Sequence, residues 1–295
     1  MTHKEAIHTP VLLHESVDSL NVTANDTVVD GTFGGGGHST VIAEALKGTG
    51  KLICVDLDEA AEVRFQEKFK DAANVMFVHS NFKDAAFILE SAGVSTVDKV
   101  LLDLGTSVFQ LLADTRGFSF NSDTPLTMTF SEKGSHTGFN AYDIVNSWGE
   151  ESIADIIYGY GEDRSSRRIA RAIMAARAIK PIKTSVQLAA VIEEAVPRRG
   201  RTHPATKTFQ ALRIAVNDEL QTLKTAMEAW YEALSVNGRL SIITFHSLED
   251  RIVKQWMKEQ DNARILTKRP IAPSYEELQT NPRSRSAKLR TIEKL

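Results

Sequence analysis

The sequence predicts an α/β fold whose parallel sheet is interrupted by a helical insertion and then completed. Short apolar, β-branched runs alternate with helix-like segments over the first hundred residues, and strands separated by helices of this length form βαβ units. The alternation stops near residue 109 and gives way to mainly helical sequence. An apolar run at 239–245 then resumes the strand pattern.

Hydrophobic periodicity and capping residues place the individual elements. Predicted strands cover residues 27–30, 51–55, 74–78, 97–102, 239–245, 263–267 and 287–292. Predicted helices cover residues 38–46, 58–69, 83–91, 150–158, 165–178, 185–195, 204–234 and 248–258, with Thr184 or Ser185 capping the helix at 185–195. Residues 109–140 show weak periodicity and are predicted to be a loop. These assignments predict a sheet domain of residues 1–108 and 204–295 and an inserted, mainly helical domain of residues 109–203.

Composition excludes several classes of protein. The 295 residues are 42% hydrophobic and 25% charged, which is typical of a globular chain. No apolar run approaches the roughly 18 residues of a membrane span, and the first ten residues lack the apolar core of a signal peptide. We therefore expect a cytoplasmic protein without a membrane partner. The single cysteine, Cys54, excludes an intramolecular disulfide, and the eight histidines show no spacing typical of a metal site.

Positive charge is concentrated in one segment. Residues 162–213 contain twelve Lys and Arg residues against four acids, in a chain of net charge −3. A basic segment on an otherwise acidic chain is typical of proteins that bind a polyanion, although solvated helix faces carry the same residues. Charge alone leaves both interpretations open.

The segment from Asp30 to His38 carries the clearest chemical signal. It reads DGTFGGGGH, follows a strand and opens a helix, where glycines let a ligand approach the backbone and helix-start amides donate hydrogen bonds. Asp56 ends the next strand and can accept hydrogen bonds from a ribose. Dinucleotides favour the pattern G-x-G-x-x-G, whereas Asp30 would repel a pyrophosphate and attract the ammonium group of S-adenosylmethionine. We therefore favour S-adenosylmethionine over NAD as the cofactor.

Asp103 ends the fourth strand, which in such a sheet lies beside the first. Its carboxylate is expected to face the gap between these two strands. There it can accept a hydrogen bond from a substrate amine or contact the cofactor. A capping role within the following loop is the alternative.

Seven blocks of the sequence resemble the bacterial 16S ribosomal RNA cytosine-N4 methyltransferase family, in order and from about residue 8 to the C-terminus. They are HTPVLLHE (8–15), DGTFGGGGHS (30–39), LDLG (102–105), RGFSF (116–120), HPATKTFQALR (203–213), FHSLEDR (245–251) and NPRSRS (281–286). The resemblance implies a class I, Rossmann-like methyltransferase sheet with helices on both faces and an inserted helical domain that recognises the substrate.

The resemblance also implies a reaction and its partners. The reaction is methylation, by S-adenosylmethionine, of a cytosine N4 in the decoding region of 16S ribosomal RNA. The small ribosomal subunit is the implied partner, and a homodimer is compatible with the family. Carried over by motif, the cofactor-binding residues are Gly36, Gly37, His38, Asp56, Phe82, Asp103 and Gln110, to which the charge argument above adds Asp30.

Transfer to an exocyclic amine needs a group that accepts hydrogen bonds from N4 while the nitrogen attacks the methyl carbon. Asp103 and Ser107 are the candidate catalytic residues. Methylation at cytosine C5 would instead need a cysteine nucleophile, and Cys54 lies in a predicted strand, away from the substrate edge.

The target base must leave its stack to reach such a site, and cationic side chains are expected to hold the neighbouring phosphates. The candidate RNA-binding residues are Arg198, Arg199, Arg201, His203, Lys207, His246 and Arg251. Around His246, a helix N-cap formed by Ser247 explains the sequence equally well.

Two motifs depart from the family's pattern. The block from Asp103 reads DLGTSVFQLL where the family has DLGVSSxQLD, and residues 125–130 read PLTMTF in place of PLDMRM. Both flank the expected entrance for the target base. They keep open a ribosome-binding assembly factor that retains the cofactor pocket without turnover. A methyltransferase of the same class that acts on DNA, protein or a small molecule is a further alternative.

Overall fold

The computed structural model describes residues 10–105, 115–131, 134–198, 200 and 202–295. The chain divides into two compact units, a sheet unit of Met1–Ser107 with Leu220–Leu295 and a helical unit of Val108–Glu219. Among the described residues, no helix is both long enough and apolar enough to cross a bilayer.

The sheet has seven strands in the order β3-β2-β1-β4-β5-β7-β6. They are β1 (Thr27–Asp30), β2 (Lys51–Asp56), β3 (Val75–His79), β4 (Val97–Asp103), β5 (Leu234–Thr244), β6 (Ala263–Ile265) and β7 (Lys288–Lys294). Strands β1 to β5 pair in parallel, and β7 is antiparallel to both of its neighbours. The predicted α/β fold, with its interruption after β4 and its completion by β5, is confirmed.

The helices are α1 (Leu13–Leu20), α2 (Gly37–Ala45), α3 (Glu59–Phe69), α4 (Ala85–Ala92), α5 (Ala141–Ser147), α6 (Glu150–Gly161), α7 (Ser166–Ile179), α8 (Ser185–Ala195), α9 (Thr206–Asn217), α10 (Glu219–Ala233), α11 (Ser247–Glu259) and α12 (Tyr275–Thr280). Of the two predicted caps for α8, Thr184 accepts the hydrogen bond, from the backbone of Gln187. The N-cap of α11 is His246 rather than Ser247.

Helices cover both faces of the sheet because buried strand residues alternate in direction. In β2, Leu52 and Cys54 pack with α1, α2 and α3, whereas Ile53 and Val55 pack with α4, α10 and α11. Full burial of each such aliphatic side chain stabilises the fold by about 1.5–3 kcal/mol. Two-sided burial explains why the strands are continuous apolar runs in the sequence.

The helical unit has its own core, formed by the inner faces of α5 to α9. Helices α6 and α9 approach closely at Gly161, where an added Cβ would lie 2.7 Å from the carbonyl oxygen of Lys207. The side chains of Lys207 and Gln210 donate to the carbonyls of Glu162 and Tyr160, at 2.9 and 3.0 Å. These bonds satisfy backbone acceptors at the end of α6 that the helix itself cannot satisfy.

The second boundary between the units lies at 219/220 and not at the predicted 203/204. The prediction of one helix over 204–234 is wrong, because the chain breaks at Asp218, which has φ 48°. Helix α9 buries Phe209 and Leu212 in the helical core, whereas α10 buries Met227 and Trp230 against the sheet. One straight helix cannot direct its apolar stripe into two separate cores.

Candidate active site

Three aspartates end neighbouring strands of the sheet. Asp30 ends β1, Asp56 ends β2 and Asp103 ends β4. Strand order reverses between β1 and β4, and the crevice at the carboxyl ends of such a switch point is where open α/β sheets bind ligands. The fold therefore brings together the three acids that the sequence singled out.

The glycine loop is folded over one of its own side chains. Phe33 is 3% exposed and makes edge contacts with Phe65, Phe69 and Phe77 at centroid distances of 5.7, 6.2 and 5.8 Å. An added Cβ on Gly36, which has φ +71°, would lie 2.6 Å from the Phe33 ring. The loop needs glycine here for its own packing, in addition to any approach by a ligand.

Gly37 is required by the N-terminal segment. An added Cβ on Gly37 would lie 2.0 Å from Cγ of Pro10. The first turn of α2 is thus covered at this point by the chain that precedes α1. Contact between this segment and the glycine loop was not predicted from the sequence, because no local pattern reports a pairing of distant segments.

Asp56 holds the glycine loop in place and has acceptor positions left for further hydrogen bonds. Its two carboxylate oxygens accept from the backbone N–H groups of Gly34 and Asp58, at 2.7 and 2.9 Å. A carboxylate has about four acceptor positions, so each oxygen can accept a further hydrogen bond. Burial is the main cause that raises the pKa of Asp56 to about 6.

Asp30 is more enclosed than the sequence suggests. Its side chain accepts from Ser39 Oγ at 2.6 Å and from the N–H of Thr32 at 3.2 Å, and the residue is 1% exposed. Burial raises its pKa. What limits a direct contact with an ammonium group is access, because almost none of the residue is exposed.

Asp103 has the least satisfied carboxylate of the three. Within the described part of the chain, its buried Oδ1 has no hydrogen-bond partner, although the Gly105 backbone hydrogen-bonds to the carboxyl group. The backbone N–H of Asp103 donates to Thr32 Oγ1 at 2.7 Å. Burial raises the pKa of Asp103 to about 7, and the negative charges of Asp30 and Glu249 act in the same direction. A buried acceptor without a donor is costly, so a donor that reached Oδ1 after a movement of the surrounding groups would be bound favourably.

His38 is neutral and faces Asp103. Its Nε2 lies 3.1 Å from the carbonyl oxygen of Val11, and its Nδ1 lies 3.9 Å from Asp103 Oδ2. Burial lowers the pKa of His38 to about 4, so no charge on the imidazole balances the carboxylate at neutral pH.

Phe82 follows β3 and lies next to the glycine loop. An added Cβ on Gly31 would be 3.2 Å from Cβ of Phe82, and the Phe82 carbonyl accepts from the indole of Trp230 at 2.7 Å. The half-buried ring packs against the sheet core. Its predicted contact with an adenine stays a prediction.

Two of the candidate RNA-binding residues, His203 and Lys207, make specific contacts within the protein. His203 stacks on Phe120 at a centroid distance of 4.2 Å, and its two nitrogens contact Glu193 Oε1 at 2.8 Å and the N–H of Ala205 at 3.1 Å. Lys207 holds the end of α6, as described above. Arg198 and Arg251 are exposed.

His246 is the remaining described candidate, and its position is structural. It caps α11 in a capping box with Glu249, and its Nε2 lies 3.1 Å from Glu249 Oε1 without hydrogen-bond geometry. Four candidates lie outside the described residues, namely Ser107, Gln110, Arg199 and Arg201.

Similarity to known proteins extends over nearly the whole chain. Ribosomal RNA small subunit methyltransferase H of Deinococcus deserti is 47% identical over 295 residues, covering 100% of this chain and 95% of the relative. The protein of the same name from Clostridium botulinum is 44% identical over 308 residues, covering 98% and 99%. A crystal structure of an rRNA methylase from Streptococcus thermophilus has a TM-score of 0.46 and 14% identity, with 98% of each chain covered. A family model described as the MraW methylase family matches residues 5–295, and the chain belongs to that family.

Proposed function

We propose that this chain methylates the exocyclic N4 of a cytosine in the decoding region of 16S ribosomal RNA. S-adenosylmethionine is the cofactor, and it supplies an electrophilic methyl group bound to a sulfonium sulfur. The relatives named for ribosomal RNA of the small subunit support the substrate, and we place the reaction on that subunit in the cytoplasm. The observation that carries the choice of an amine is the buried Oδ1 of Asp103, for which the described residues provide no donor.

The residues at the carboxyl edge of the sheet fit a cationic ligand that contains a ribose. Asp56 has acceptor positions left for ribose hydroxyls. Burial raises the pKa values of all three aspartates, so a cation nearby would favour their ionised forms. The sulfonium and ammonium groups of S-adenosylmethionine provide such charge, whereas the pyrophosphate of NAD would add repulsion.

The proposed mechanism uses Asp103 as the acceptor for the target amine. The N4 lone pair of cytosine is delocalised into the ring, which makes the nitrogen a weak nucleophile. A hydrogen bond from N4–H to Asp103 Oδ1 would hold the nitrogen in line with the methyl carbon and favour its pyramidal form. Burial raises the pKa of Asp103, which makes its carboxylate a better acceptor for the N4 proton than that of an exposed aspartate.

Cytosine C5 is disfavoured as the target because its methylation uses a thiolate nucleophile. Cys54 is buried in β2, and its Sγ lies 3.3 Å from Ser39 Oγ. Burial raises its pKa well above the ordinary value. The thiol is therefore neither accessible nor ionised.

The second candidate function is a ribosome-binding factor that keeps the cofactor pocket without turnover. The altered motif at 125–130 favours it, because an acid and an arginine of the family pattern are both missing. Thr127, which replaces the acid, donates from Oγ1 to the carbonyl of Arg116 at 3.0 Å. The two missing charges are opposite in sign, so their joint loss leaves the net charge of the loop unchanged.

The test is methyl transfer from labelled S-adenosylmethionine to small ribosomal subunits that lack native methylation, followed by nucleoside mass spectrometry. We expect N4-methylcytidine as the product. Label in C5-methylcytidine or in another nucleoside would contradict the proposed target atom. Binding of S-adenosylmethionine without transfer, measured by calorimetry on the same sample, would favour the non-catalytic candidate.

A further inference from the structure

One peptide group in the N-terminal segment connects α12 to the active site. The N–H of Leu12 donates to Glu277 Oε1 at 2.9 Å. The carbonyl oxygen of Val11 lies 3.1 Å from His38 Nε2. Both contacts belong to the single peptide unit between Val11 and Leu12. Because that unit is planar and rigid, Glu277 and His38 fix its orientation together.

This arrangement decides which nitrogen of His38 carries the proton. A carbonyl oxygen can only accept a hydrogen bond, so the hydrogen of the neutral ring is on Nε2. The lone pair is then on Nδ1, which lies 3.9 Å from Asp103 Oδ2. Glu277 is thus linked to Asp103 through one peptide and one imidazole ring, although the two residues are far apart in the sequence.

The segment that carries the peptide is held in an uncommon conformation. Leu12 has φ 52° and ψ 40°, the left-handed region that non-glycine residues rarely adopt. Its side chain is fully buried, and Pro10 covers Gly37 on the other side of the peptide. Such conformations persist where surrounding contacts over-determine them, and here the result is a carbonyl directed at His38.

Glu277 is itself placed by the first turn of α12. Its N–H donates to Oγ of the N-cap residue Ser274 at 3.1 Å, and its side chain is half-buried. The acid that faces it is Glu15, which acts with burial to raise the pKa of Glu277, against the hydrogen bond from Leu12. A carboxylate there polarises the peptide and makes the Val11 carbonyl a stronger acceptor.

We propose that Glu277 is a positioning residue for methyl transfer, which acts through the Val11–Leu12 peptide to hold His38 in the tautomer whose Nδ1 lone pair faces Asp103. This proposal rests on the proposed function, because it takes Asp103 as the acceptor of the N4 proton. N4 forms its bond to the methyl carbon as the carbon–sulfur bond breaks, and that electron pair stays on sulfur. The positive charge passes to N4 and is lost when the N4 proton moves to Asp103.

The lone pair of His38 acts on the product of that proton transfer. Protonation of Asp103 at Oδ1 removes the negative charge that faces the Nδ1 lone pair, which lies 3.9 Å from Oδ2. The opposite tautomer would direct N–H at the carboxylate, stabilise its ionised form and make it a weaker proton acceptor. Holding the tautomer therefore favours proton transfer from N4, after which Asp103 returns the proton to water.

The experiment compares Glu277→Gln, Glu277→Ala and the control Glu276→Ala in the full chain labelled with ¹⁵N-histidine. Glu276 is an exposed carboxylate on the same helix, so the control changes the same charge without touching the peptide. The ¹⁵N shifts of His38, assigned with a His38→Asn variant, report the tautomer without cofactor or RNA. We expect the Nε2–H form in the wild type and in Glu276→Ala, retention in Glu277→Gln, and a mixture of tautomers in Glu277→Ala.

Activity provides the second measurement. For Glu277→Ala we expect kcat to fall roughly tenfold with the KM for S-adenosylmethionine little changed, and for Glu277→Gln, which keeps an acceptor for Leu12, a fall of about threefold or less. Should Glu277→Ala not fold, Glu277→Gln still gives a result, because loss of the charge should shift the Nδ1 resonance. An unchanged His38 spectrum in every Glu277 variant, or the Nδ1–H form in the wild type, would overturn the proposal while leaving N4 methylation intact. If the wild-type enzyme shows the expected tautomer but does not methylate N4, the proposed function is overturned, and with it the role of Glu277 in methyl transfer.

Discussion

The carboxyl edge of the sheet and the basic segment of the helical unit differ in how completely their polar side chains are hydrogen-bonded within the protein. At the sheet edge, one buried oxygen of Asp103 has no donor among the residues that the structure describes, and burial raises its pKa to about 7. In the basic segment, His203 and Lys207 have hydrogen-bond partners within their own unit. Both regions were predicted to bind something.

This difference shows which observation is better evidence for a binding site, a high density of positive charge or a buried polar atom without a partner. A high density of lysine and arginine is compatible with helix capping and with ion pairs, as in the contact between Arg167 and Asp155 at 2.7 Å. A buried carboxylate oxygen that lacks a donor reduces stability unless a ligand satisfies it. Unsatisfied burial is therefore the stronger indication of a binding site, and the predictions below test that inference from the largest effect to the smallest.

The largest effect is expected for Asp103→Asn. The amide keeps the shape of the side chain but cannot accept the N4 proton, and its NH₂ group can face the amine as a second donor. We expect the rate of methyl transfer to fall by about 10²–10³-fold, with S-adenosylmethionine binding retained in part. Single-turnover transfer and calorimetric binding on the same preparation check both points. Full activity would remove Asp103 from the mechanism.

The second effect concerns pH and stability. Burial raises the pKa of Asp103 to about 7 in the folded chain, well above that of an ordinary aspartate, so the folded state binds the extra proton. Its contribution to stability is present below pH 4 and is lost as the pH rises towards 7. At pH 8 we therefore expect Asp103→Asn to raise the free energy of unfolding by about 2–4 kcal/mol, and near pH 4 to have little effect.

The comparison of wild type and Asp103→Asn isolates this group from others that titrate in the same range. Burial also raises the pKa of Asp56, to about 6, so that carboxyl group adds a slope of the same sign to the total stability in this range. Urea unfolding at the two pH values measures the difference. A gain of equal size at both would mean that the carboxyl group is not responsible.

Much of this contrast could be predicted from the sequence, and the reasons are physical. Asp30, Asp56 and Asp103 were found because each ends an apolar run, and strand ends are visible in a local pattern. The roles of Val11, Leu12 and Glu277 could not be found, because their contacts join segments that are far apart in the chain. The break at Asp218 was missed because two helices with good propensity look continuous until their two cores are known.

The third effect concerns RNA affinity. The triple variant Arg198→Ala, Arg199→Ala, Arg201→Ala removes three candidate phosphate contacts. We expect affinity for small-subunit RNA to fall by about 10–100-fold and the slope of log affinity against log salt to decrease by roughly 2–3. Filter binding across a salt series measures both. An unchanged slope would show that these arginines, like Lys207, serve the protein itself.

The fourth effect concerns the close packing of α6 against α9 in the helical unit. Gly161→Ala would place a Cβ 2.7 Å from a backbone carbonyl oxygen of α9, whereas Gly159, on the same helix, has nothing within 4 Å of an added Cβ. We expect Gly161→Ala to lower the free energy of unfolding by about 1–3 kcal/mol. The matched control, Gly159→Ala, should raise it by about 0.5–1 kcal/mol, because alanine favours the helix. Equal effects in urea titrations would contradict the close contact of α6 and α9.

The smallest effect separates capping from RNA binding at Lys207. Its ammonium group donates to the carbonyl of Glu162 at the end of α6, where a cation also interacts favourably with the helix dipole. Lys207→Met keeps the aliphatic stem, and we expect it to lower the free energy of unfolding by about 0.5–1 kcal/mol with RNA affinity unchanged within about twofold. The residue is exposed, so the substitution tests the interactions of the ammonium group alone. A loss of RNA affinity with full stability would show that the ammonium group leaves the helix end to bind phosphate. A hydrogen bond within the protein would then not exclude a role in RNA binding, and the difference between the two regions would be smaller.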